Sequence, residues 1–364
     1  MRVAINVAVV SGQLTGVGYY TLSLVRALAR VCDDVEWVLL GADPAVDLIP
    51  VRENIQIVGA EGLANGARRA AWQQWALPRL AVRAQAQLLH CPDYSRPVYC
   101  PIPVVNTIHD LSFYSSSPAF LAPGDRLWKG ALAHLAVKQS ARLIAVSEFV
   151  RVQILERFRI EPSRVVTVHE AGAELPDQPR ESAKEPFLLF VGTLETRKNL
   201  ITLIDAFISL RASGQIVHRL VLVGKNGWGS EDIRAAIASS PFRHDIEVRG
   251  YASREEVLRL YRSTDLFVYP SLYEGFGLPL LEAMTCGAPV VCSRVASLHE
   301  VAGDAAEFFD PRNAQDLAAA IQRVLRSPEL QQKLRSKGKE RVKQFSWDEC
   351  ARRHCAVFRD VLQN

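Results

Sequence analysis

The chain has 364 residues, 49% of them hydrophobic and 23% charged, with a formal net charge of +4. That length is more than one hydrophobic core usually serves, so two domains are expected, with the composition of an ordinary soluble globular protein. So mild a charge allows contact with anions but gives no reason to expect nucleic acid, and the apolar runs are broken by charge well short of a membrane span. The seven cysteines, at 32, 91, 100, 286, 292, 350 and 355, include no CxxC pair. An odd count at that spacing argues against a disulfide framework or a zinc site and for a reducing cytosol, with most of the thiols as small apolar filler.

From the N-terminus, RVAINVAVV reads as a first strand, not a cleaved leader, and EWVLL, IQIVG, QLLHC, PVVNTIHD and RLIAVS follow as further strands. After residue 185 the pattern repeats with PFLLFVG, HRLVLVG, DIEVRG, TDLFVYP and APVVCS. Continuous apolar strands alternating with helical stretches predict parallel α/β winding with both sheet faces covered. The expected organisation is two Rossmann-like doubly wound domains, 1–170 and 187–344. The aperiodic, Pro- and charge-rich 171–186 serves as linker, and a terminal helix spans 345–364. In such sheets ligands bind outside the carboxyl ends of the strands, so the residues just after each strand are the ones to inspect.

The first strand is followed by SGQLTGVGYYTLSLVRALA, where Gly12, Gly16 and Gly18 precede an amphipathic helix. Glycines let a ligand approach the backbone and a helix N-terminus favours an anion, yet a tight strand-to-helix turn has the same composition. His109 and Asp110 end another strand; they suit hydroxyl recognition or proton transfer, or a satisfied structural histidine beside a capping aspartate. Ser147 has the position of an N-cap for EFVRVQILERF, with a hydroxyl contact as the sharper alternative.

In the second half, PFLLFVG leads into TLETRKNL. Arg197 and Lys198 at a strand's carboxyl end, beside a helix start, suit a diphosphate better than a solvated basic turn. After TDLFVYP comes YEGFGLPLLEAMTCGAPVV, where Gly275, Gly277 and Pro279 place the helix start near Leu278. Glu274 then lies on a loop and Glu282 in the helix. On one continuous helix they would stand roughly 12 Å apart, whereas a double-displacement glycosidase needs about 5–5.5 Å. They read as two separate grips on one elongated ligand. A helix-terminal charge is the plain alternative for Glu282, although an unpaired carboxylate in LPLLEAM would be costly.

This set of motifs resembles the GT-B glycosyltransferases of the GT4 family, the retaining, sugar-nucleotide-dependent kind. The carriers are E-x7-E at Glu274 and Glu282, VGTLETRKN, the HD pair at 109–110 and the glycine-rich first turn. The likeness covers nearly the whole chain, and EGFGLPLLEAMTCGAPVV is its most specific part. GTLETRKNL together with LVLVGKNGWG is similar to the bacterial mannosyltransferase branch that builds O-antigen and exopolysaccharide.

The resemblance implies roles. Glu274 holds hydroxyls of the donor sugar and Glu282 the ribose; Arg197 and Lys198 neutralise the diphosphate; His109 contacts the sugar near its primary hydroxyl. Donor binding extends to Gly16, Gly18, Asp110, Gly192, Thr193, Gly224, Lys225, Tyr251, Gly275, Phe276, Gly277 and Leu278. Acceptor contacts fall to Gly16, Tyr19 and Ser147. Many relatives carry an arginine where this chain has Thr193, which moves the phosphate load onto Arg197. The branch resemblance implies retaining transfer with GDP-mannose as the preferred donor, onto a glycan or lipid-linked acceptor. No cofactor is implied, and with no Asp-x-Asp motif at a strand end, no metal.

UDP- or dTDP-sugar donors are the alternative within this class. A GT-B-type epimerase is disfavoured by the E-x7-E and RKN combination, and a silent binding subunit by the complete residue set. A Rossmann oxidoreductase is disfavoured because no compact GxGxxG with a placed acidic residue follows the first strand. Residues 64–85, with Arg68, Arg69, Trp72, Trp75, Arg79 and Arg83, form a helical pattern. It suits a peripheral contact at the inner face of an anionic membrane, or, more simply, an amphipathic helix with its tryptophans packed inward. The last helix, 345–362, is expected to cross back to the N-terminal domain, as in the family.

Overall fold

The computed structural model describes residues 1–10, 14, 16–43, 52–63, 66–114, 120, 123–174, 179–181 and 183–363. Gly12 and parts of the 171–186 segment lie outside the described residues. The chain divides into two compact units. Unit 1 comprises Met1–Leu111, Arg126–Glu170 and Phe345–Asn364; unit 2 comprises Ser112–Asp125 and Ala171–Gln344.

Unit 1 is built on seven parallel strands: β1 (Arg2–Asn6), β2 (Glu36–Ala42), β3 (Ile55–Gly59), β4 (Leu88–Cys91), β5 (Val104–Ile108), β6 (Arg142–Ala145) and β7 (Val165–Thr167). They lie in the order β3-β2-β1-β4-β5-β6-β7. Around them run α1 (Gly16–Val31), α2 (Gly66–Arg83), α3 (Pro123–Gln139) and α4 (Glu148–Phe158).

Unit 2 repeats the scheme with β8 (Phe187–Val191), β9 (Arg219–Val223), β10 (Ile246–Gly250), β11 (Leu266–Tyr269), β12 (Val290–Ser293) and β13 (Glu307–Phe309), in the order β10-β9-β8-β11-β12-β13. Its helices are α5 (Leu200–Ala212), α6 (Ser230–Ser239), α7 (Arg254–Ser263), α8 (Leu278–Thr285), α9 (Ala296–Ala302), α10 (Ala314–Arg326) and α11 (Pro328–Val342).

The central strands are buried along nearly their whole length, which is why they read as unbroken apolar runs. The edge strands β3 and β10 are largely exposed, and Glu247 and Arg249 on β10 discourage pairing with another chain. β7 and β13, three residues each, escape sequence reading because so short a run shows neither alternation nor a continuous apolar stretch. In each sheet the winding reverses once, between β1 and β4 and between β8 and β11, and such switch points are where doubly wound sheets hold ligands.

The last helix, α12 (Trp347–Gln363), belongs to unit 1. Its buried face carries Trp347, Cys350, His354, Cys355 and Phe358. Ion pairs join Arg30 to Asp348, Arg359 to Asp34 at 2.8 Å and Arg142 to Asp360 at 2.8 Å. The Tyr20 hydroxyl lies 2.9 Å from His354 Nε2 and 3.0 Å from the Thr107 hydroxyl. The cysteine reading needs one correction: the sulfurs of Cys32 and Cys355 are paired although 323 residues separate them, because α12 packs beside the end of α1. Cys91, Cys286, Cys292 and Cys350 are buried free thiols.

A second correction concerns α2. Trp72 packs against the core, but Trp75 is 67% exposed, with the Arg79 guanidinium 5.8 Å from its ring centre. The buried stripe of α2 runs through Gln73, Leu77 and Ala81, and Trp75, two residues from both Gln73 and Leu77, stands on the opposite side of the helix.

Among the described residues no helix is long and apolar enough to cross a membrane.

Candidate active site

At the carboxyl end of β8 the backbone comes unusually close to that of β9. Gly192 has φ +155°, Gly224 has φ +150°, and a Cβ on Gly224 would stand 1.9 Å from the Gly192 carbonyl oxygen. Both glycines thus have a packing reason to be glycine. Beyond them the two loops zip together: Leu194 N donates to Lys225 O at 2.9 Å, Gly227 N to Leu194 O at 2.9 Å and Thr196 N to Trp228 O at 3.0 Å. This anchors the single 3-10 turn Thr196–Lys198 that presents Arg197 and Lys198. Asn199, at φ +58°, ties the turn down by donating to the carbonyls of Pro270 at 3.0 Å and Pro311 at 2.7 Å.

The cations meet Glu274, on the loop after β11. Lys198 Nζ donates to Glu274 Oε1 at 2.5 Å and to the Tyr269 hydroxyl at 3.0 Å. Arg197 Nη1 donates to Glu274 Oε2 at 3.1 Å and to the Tyr273 carbonyl at 2.9 Å, and Nη2 donates to Glu195 Oε1 at 2.7 Å. Ser297 holds the Glu274 backbone carbonyl at 2.7 Å. Two cations therefore face two carboxylates across the switch point of the unit 2 sheet. Burial alone would raise the Glu274 carboxyl; Lys198 and Arg197 outweigh it and hold the group down at about 2. Burial pushes the Lys198 ammonium down, and Glu274 restores only part of the shift.

Glu282 sits in α8, which begins at Leu278 after the N-cap Gly277 at φ +107°, where a Cβ would strike Leu298. It is buried and paired separately from Glu274: Arg254 Nη1 donates to Oε1 at 2.5 Å and the Tyr261 hydroxyl to Oε2 at 3.3 Å, both from α7. Gly275 and Phe276 are buried, Thr193 and Leu278 half-buried, and Lys225 and Tyr251 exposed.

The remaining candidates are in unit 1. His109 is held on both ring nitrogens: Nδ1 lies 2.8 Å from Glu170 Oε1 and Nε2 2.8 Å from the Pro92 carbonyl. Burial pushes the imidazole down, but the bond to Glu170, its charge, the Pro92 carbonyl and Asp93 together raise it. Only the imidazolium donates to both acceptors at once, so neither nitrogen is left over for a further partner. The Tyr20 ring stands edge-on to it at 4.6 Å. Ser147 is fully buried and caps α4 by accepting from Val150 N at 3.1 Å. Tyr19 is half-buried, its ring 6.4 Å from that of Trp347, and Asp110 is half-buried. A Cβ on Gly18 would meet the Val9 carbonyl at 2.9 Å, whereas one on Gly16 meets nothing within 4 Å among the described residues.

The structure thus brings Arg197, Lys198 and Glu274 into one cluster and gives Glu282 and His109 partner sets of their own. Sequence reading missed Glu195, Tyr269, Asn199, Arg254, Tyr261 and Glu170. For Glu195 a signal existed, an acid two residues before the arginine in TLETRKN; Arg254 and Glu170 lie in segments with no motif. Among the described residues no group of three or more His, Cys, Asp or Glu is placed to hold a metal ion.

Two parallel sheets, each reversing at one switch point and the second carrying a basic pair against a loop glutamate, make the architecture of the GT-B glycosyltransferases. Residues 14–171 match the family described as Glycosyltransferase Family 4, and residues 173–341 match Glycosyl transferases group 1. Over 360 residues, 93% of this chain and 94% of the relative, the chain is 33% identical to O-antigen chain mannosyltransferase B of Escherichia coli. In fold it is similar to a sucrose-phosphate synthase from Thermosynechococcus elongatus, with TM-score 0.77 and 20% identity over 100% of this chain and 99% of the other. It is also similar to Anabaena HepE, solved in complex with UDP-glucose, with TM-score 0.73 and 17% identity over 99% and 100%. The chain belongs to glycosyltransferase family 4.

Proposed function

We propose that this glycosyltransferase moves mannose from GDP-mannose, with retention of configuration and without a metal ion, onto a glycan or lipid-linked acceptor in bacterial surface or exopolysaccharide synthesis. Unit 2 binds the donor and unit 1 the acceptor. The observation that carries the reading is the Arg197–Lys198–Glu274 cluster at the unit 2 switch point. The choice of mannose follows the name of the Escherichia coli relative.

In this reading the donor diphosphate takes over the two cations from Glu274 and Glu195. Glu274, released from them, accepts hydroxyls of the transferred sugar. As the bond from the anomeric carbon to the diphosphate oxygen breaks, negative charge grows on that oxygen, and cations already fixed there lower the barrier. The acceptor oxygen bonds to the anomeric carbon on the same face, and its proton passes to the leaving phosphate. Glu282 binds the ribose, a contact alike in ground and transition states. His109 contacts the donor sugar near its primary hydroxyl through Nδ1 as the Glu170 side chain gives way, while the Pro92 carbonyl keeps the ring in its one orientation. The exposed Trp75, stacked by Arg79 on a helix rich in arginine, fits a peripheral contact with an anionic cytoplasmic membrane surface.

The test is a thermal-shift panel of sugar nucleotides and nucleoside diphosphates, because a ligand that binds only the folded chain raises the midpoint. GDP and GDP-mannose are expected to stabilise most, and donor turnover is expected to survive EDTA. Stronger stabilisation by UDP would transfer the reading to a UDP-sugar, the ligand class seen with Anabaena HepE. Turnover lost in EDTA and restored only by Mg²⁺ or Mn²⁺ would remove the metal-free mechanism.

A further inference from the structure

The ion pair between His109 and Glu170 is fixed from behind and not sealed in front. His109 follows β5, Glu170 lies just beyond β7, and Nδ1 stands 2.8 Å from Oε1. The other ring nitrogen is held by the Pro92 carbonyl at 2.8 Å, so the ring does not turn over to offer a different edge. The Tyr20 ring closes one side at 4.6 Å, and its hydroxyl, engaged by Thr107 and His354, does not compete for the pair. The Glu170 side chain is 4% exposed and that of His109 17%, so a small group reaches the pair along the His109 edge. Among the described residues no hydrogen bond reaches Glu170 Oε2, and the carboxylate is held through Oε1 alone.

What can enter such a pair is set by its two charges. A group between them must accept from Nδ1 and donate to the carboxylate through the same atom, and a hydroxyl does both. Two hydrogen bonds of about 2.8 Å meeting at that oxygen part Nδ1 and the carboxylate oxygen to about 4.5 Å, a displacement within the reach of a glutamate side chain. A methyl group makes neither bond, and the pair stays closed against it. A carboxylate accepts from His109 but faces Glu170, with the Asp93 charge nearby. The pair therefore tells these substituents apart by donor and acceptor pattern, not by volume.

We infer that Glu170 is the specificity residue for carbon 6 of the donor sugar: the primary hydroxyl enters between His109 and Glu170, accepting from the first and donating to the second, so that a 6-deoxy sugar and a sugar acid are both rejected. The inference rests on the proposed contact of His109 with the primary hydroxyl and adds its second half, a carboxylate from a segment with no motif. It also explains why a charged pair stands where a neutral group is to bind. Until the hydroxyl arrives each charge has the other as partner, and neither is buried alone.

The experiment titrates the full chain calorimetrically with GDP, UDP, GDP-mannose, GDP-6-deoxy-D-mannose and GDP-mannuronate; the sugar nucleotides differ only at carbon 6. The native chain is expected to bind GDP-mannose about thirtyfold more tightly than the 6-deoxy donor, the scale of a hydrogen bond to a charged group, and the mannuronate most weakly. Glu170→Ala should bring the first ratio close to one. Glu170→Gln, which keeps the shape and an acceptor oxygen, should leave it at about fivefold. The mannuronate should bind both variants about tenfold more tightly than it binds the native chain, because its carboxylate then has the imidazolium as partner without a rival. GDP affinity should be the same in every chain. A purely structural carboxylate would weaken all the sugar nucleotides alike and give no gain for the mannuronate. Equal native affinity for GDP-mannose and its 6-deoxy counterpart, or a ratio unchanged in both variants, would overturn the inference. A native chain that binds UDP and not GDP would instead overturn the GDP-mannose reading. The same comparison is then made with UDP-glucose, UDP-6-deoxyglucose and UDP-glucuronate, so the two failures are told apart.

Discussion

Each unit keeps a buried ionic group at a strand end, and the two are put together differently. After β8, two cations face two carboxylates, and each partner is a side chain that can turn elsewhere. After β5, one imidazolium is fixed between a carboxylate and a main-chain carbonyl that cannot turn away. The first arrangement can exchange an internal carboxylate for an external phosphate at constant cation count. The second holds one ring in one orientation. A site that must release its product needs the first kind of cluster, and a site that must position a group needs the second.

The largest expected effects come from breaking the exchangeable cluster. Arg197→Ala and Lys198→Ala should each lower turnover about a hundredfold, the scale for one lost electrostatic contact at a leaving group. Lys198→Ala also strips Glu274 of its shortest partner, and one broken buried pair costs about 3–5 kcal/mol. Urea midpoints should show that loss, and Lys198→Met combined with Glu274→Gln should recover the stability without the turnover. Near-normal rates in both single variants would move the phosphate site elsewhere.

Acid should expose the fixed histidines of unit 1. His354, whose Nδ1 is bonded to the Cys350 carbonyl at 2.7 Å, is pushed by burial down to about 4. A base depressed in the folded state contributes stability that is fully present above its unfolded value near 6.5 and is lost as the pH falls to about 4. That loss is on the order of 3 kcal/mol. His90, also depressed by burial, acts with the same sign, so His354→Phe should flatten the acid limb of the urea-midpoint profile without abolishing it. His109 has the opposite sign: raised in the folded state, it stabilises at low pH and loses that contribution as the pH rises through its folded value. An unchanged acid limb in His354→Phe would place the titrating group elsewhere.

The two glutamates sharpen the comparison within unit 2. Glu282→Gln should weaken free nucleoside diphosphate about tenfold with little change in saturated turnover, and Glu274→Gln should do the reverse. Titration of both variants with diphosphate alone decides, and the opposite pattern would exchange their roles. The smallest effect belongs to Gly16→Ala, because its Cβ meets nothing among the described residues and Ala suits a helix start. Stability should move by less than about 1 kcal/mol. Unchanged donor and acceptor constants in that variant would remove Gly16 from ligand contact, whereas Gly18→Ala should destabilise through the Val9 carbonyl.

The wide apolar strands were legible because burial on both faces leaves nothing for a sequence to alternate. The helix start at Leu278 was legible because glycine and proline limit the backbone locally. What was not legible is which charges meet. Lys198 and Glu274 are 76 residues apart, and their pairing exists only because the sheet order sets β8 beside β11. Arg254 reaches Glu282 across 28 residues by the packing of α7 on α8, from a segment with no motif of its own. Trp75 illustrates the converse: composition favoured an inward indole, and the rotation of α2 on its sheet turned it out.

Residue types, their order and the positions of turns therefore follow from the sequence alone, since backbone preference and burial pattern act over a few neighbours. They were enough to name the parallel α/β class, the basic pair and the two glutamates. The folded chain decided that the basic pair binds Glu274, that His109 has both nitrogens engaged, and that α12 docks on α1. Those facts depend on strand order and helix packing, and a contact between distant segments is a property of the assembled sheets that no local stretch encodes.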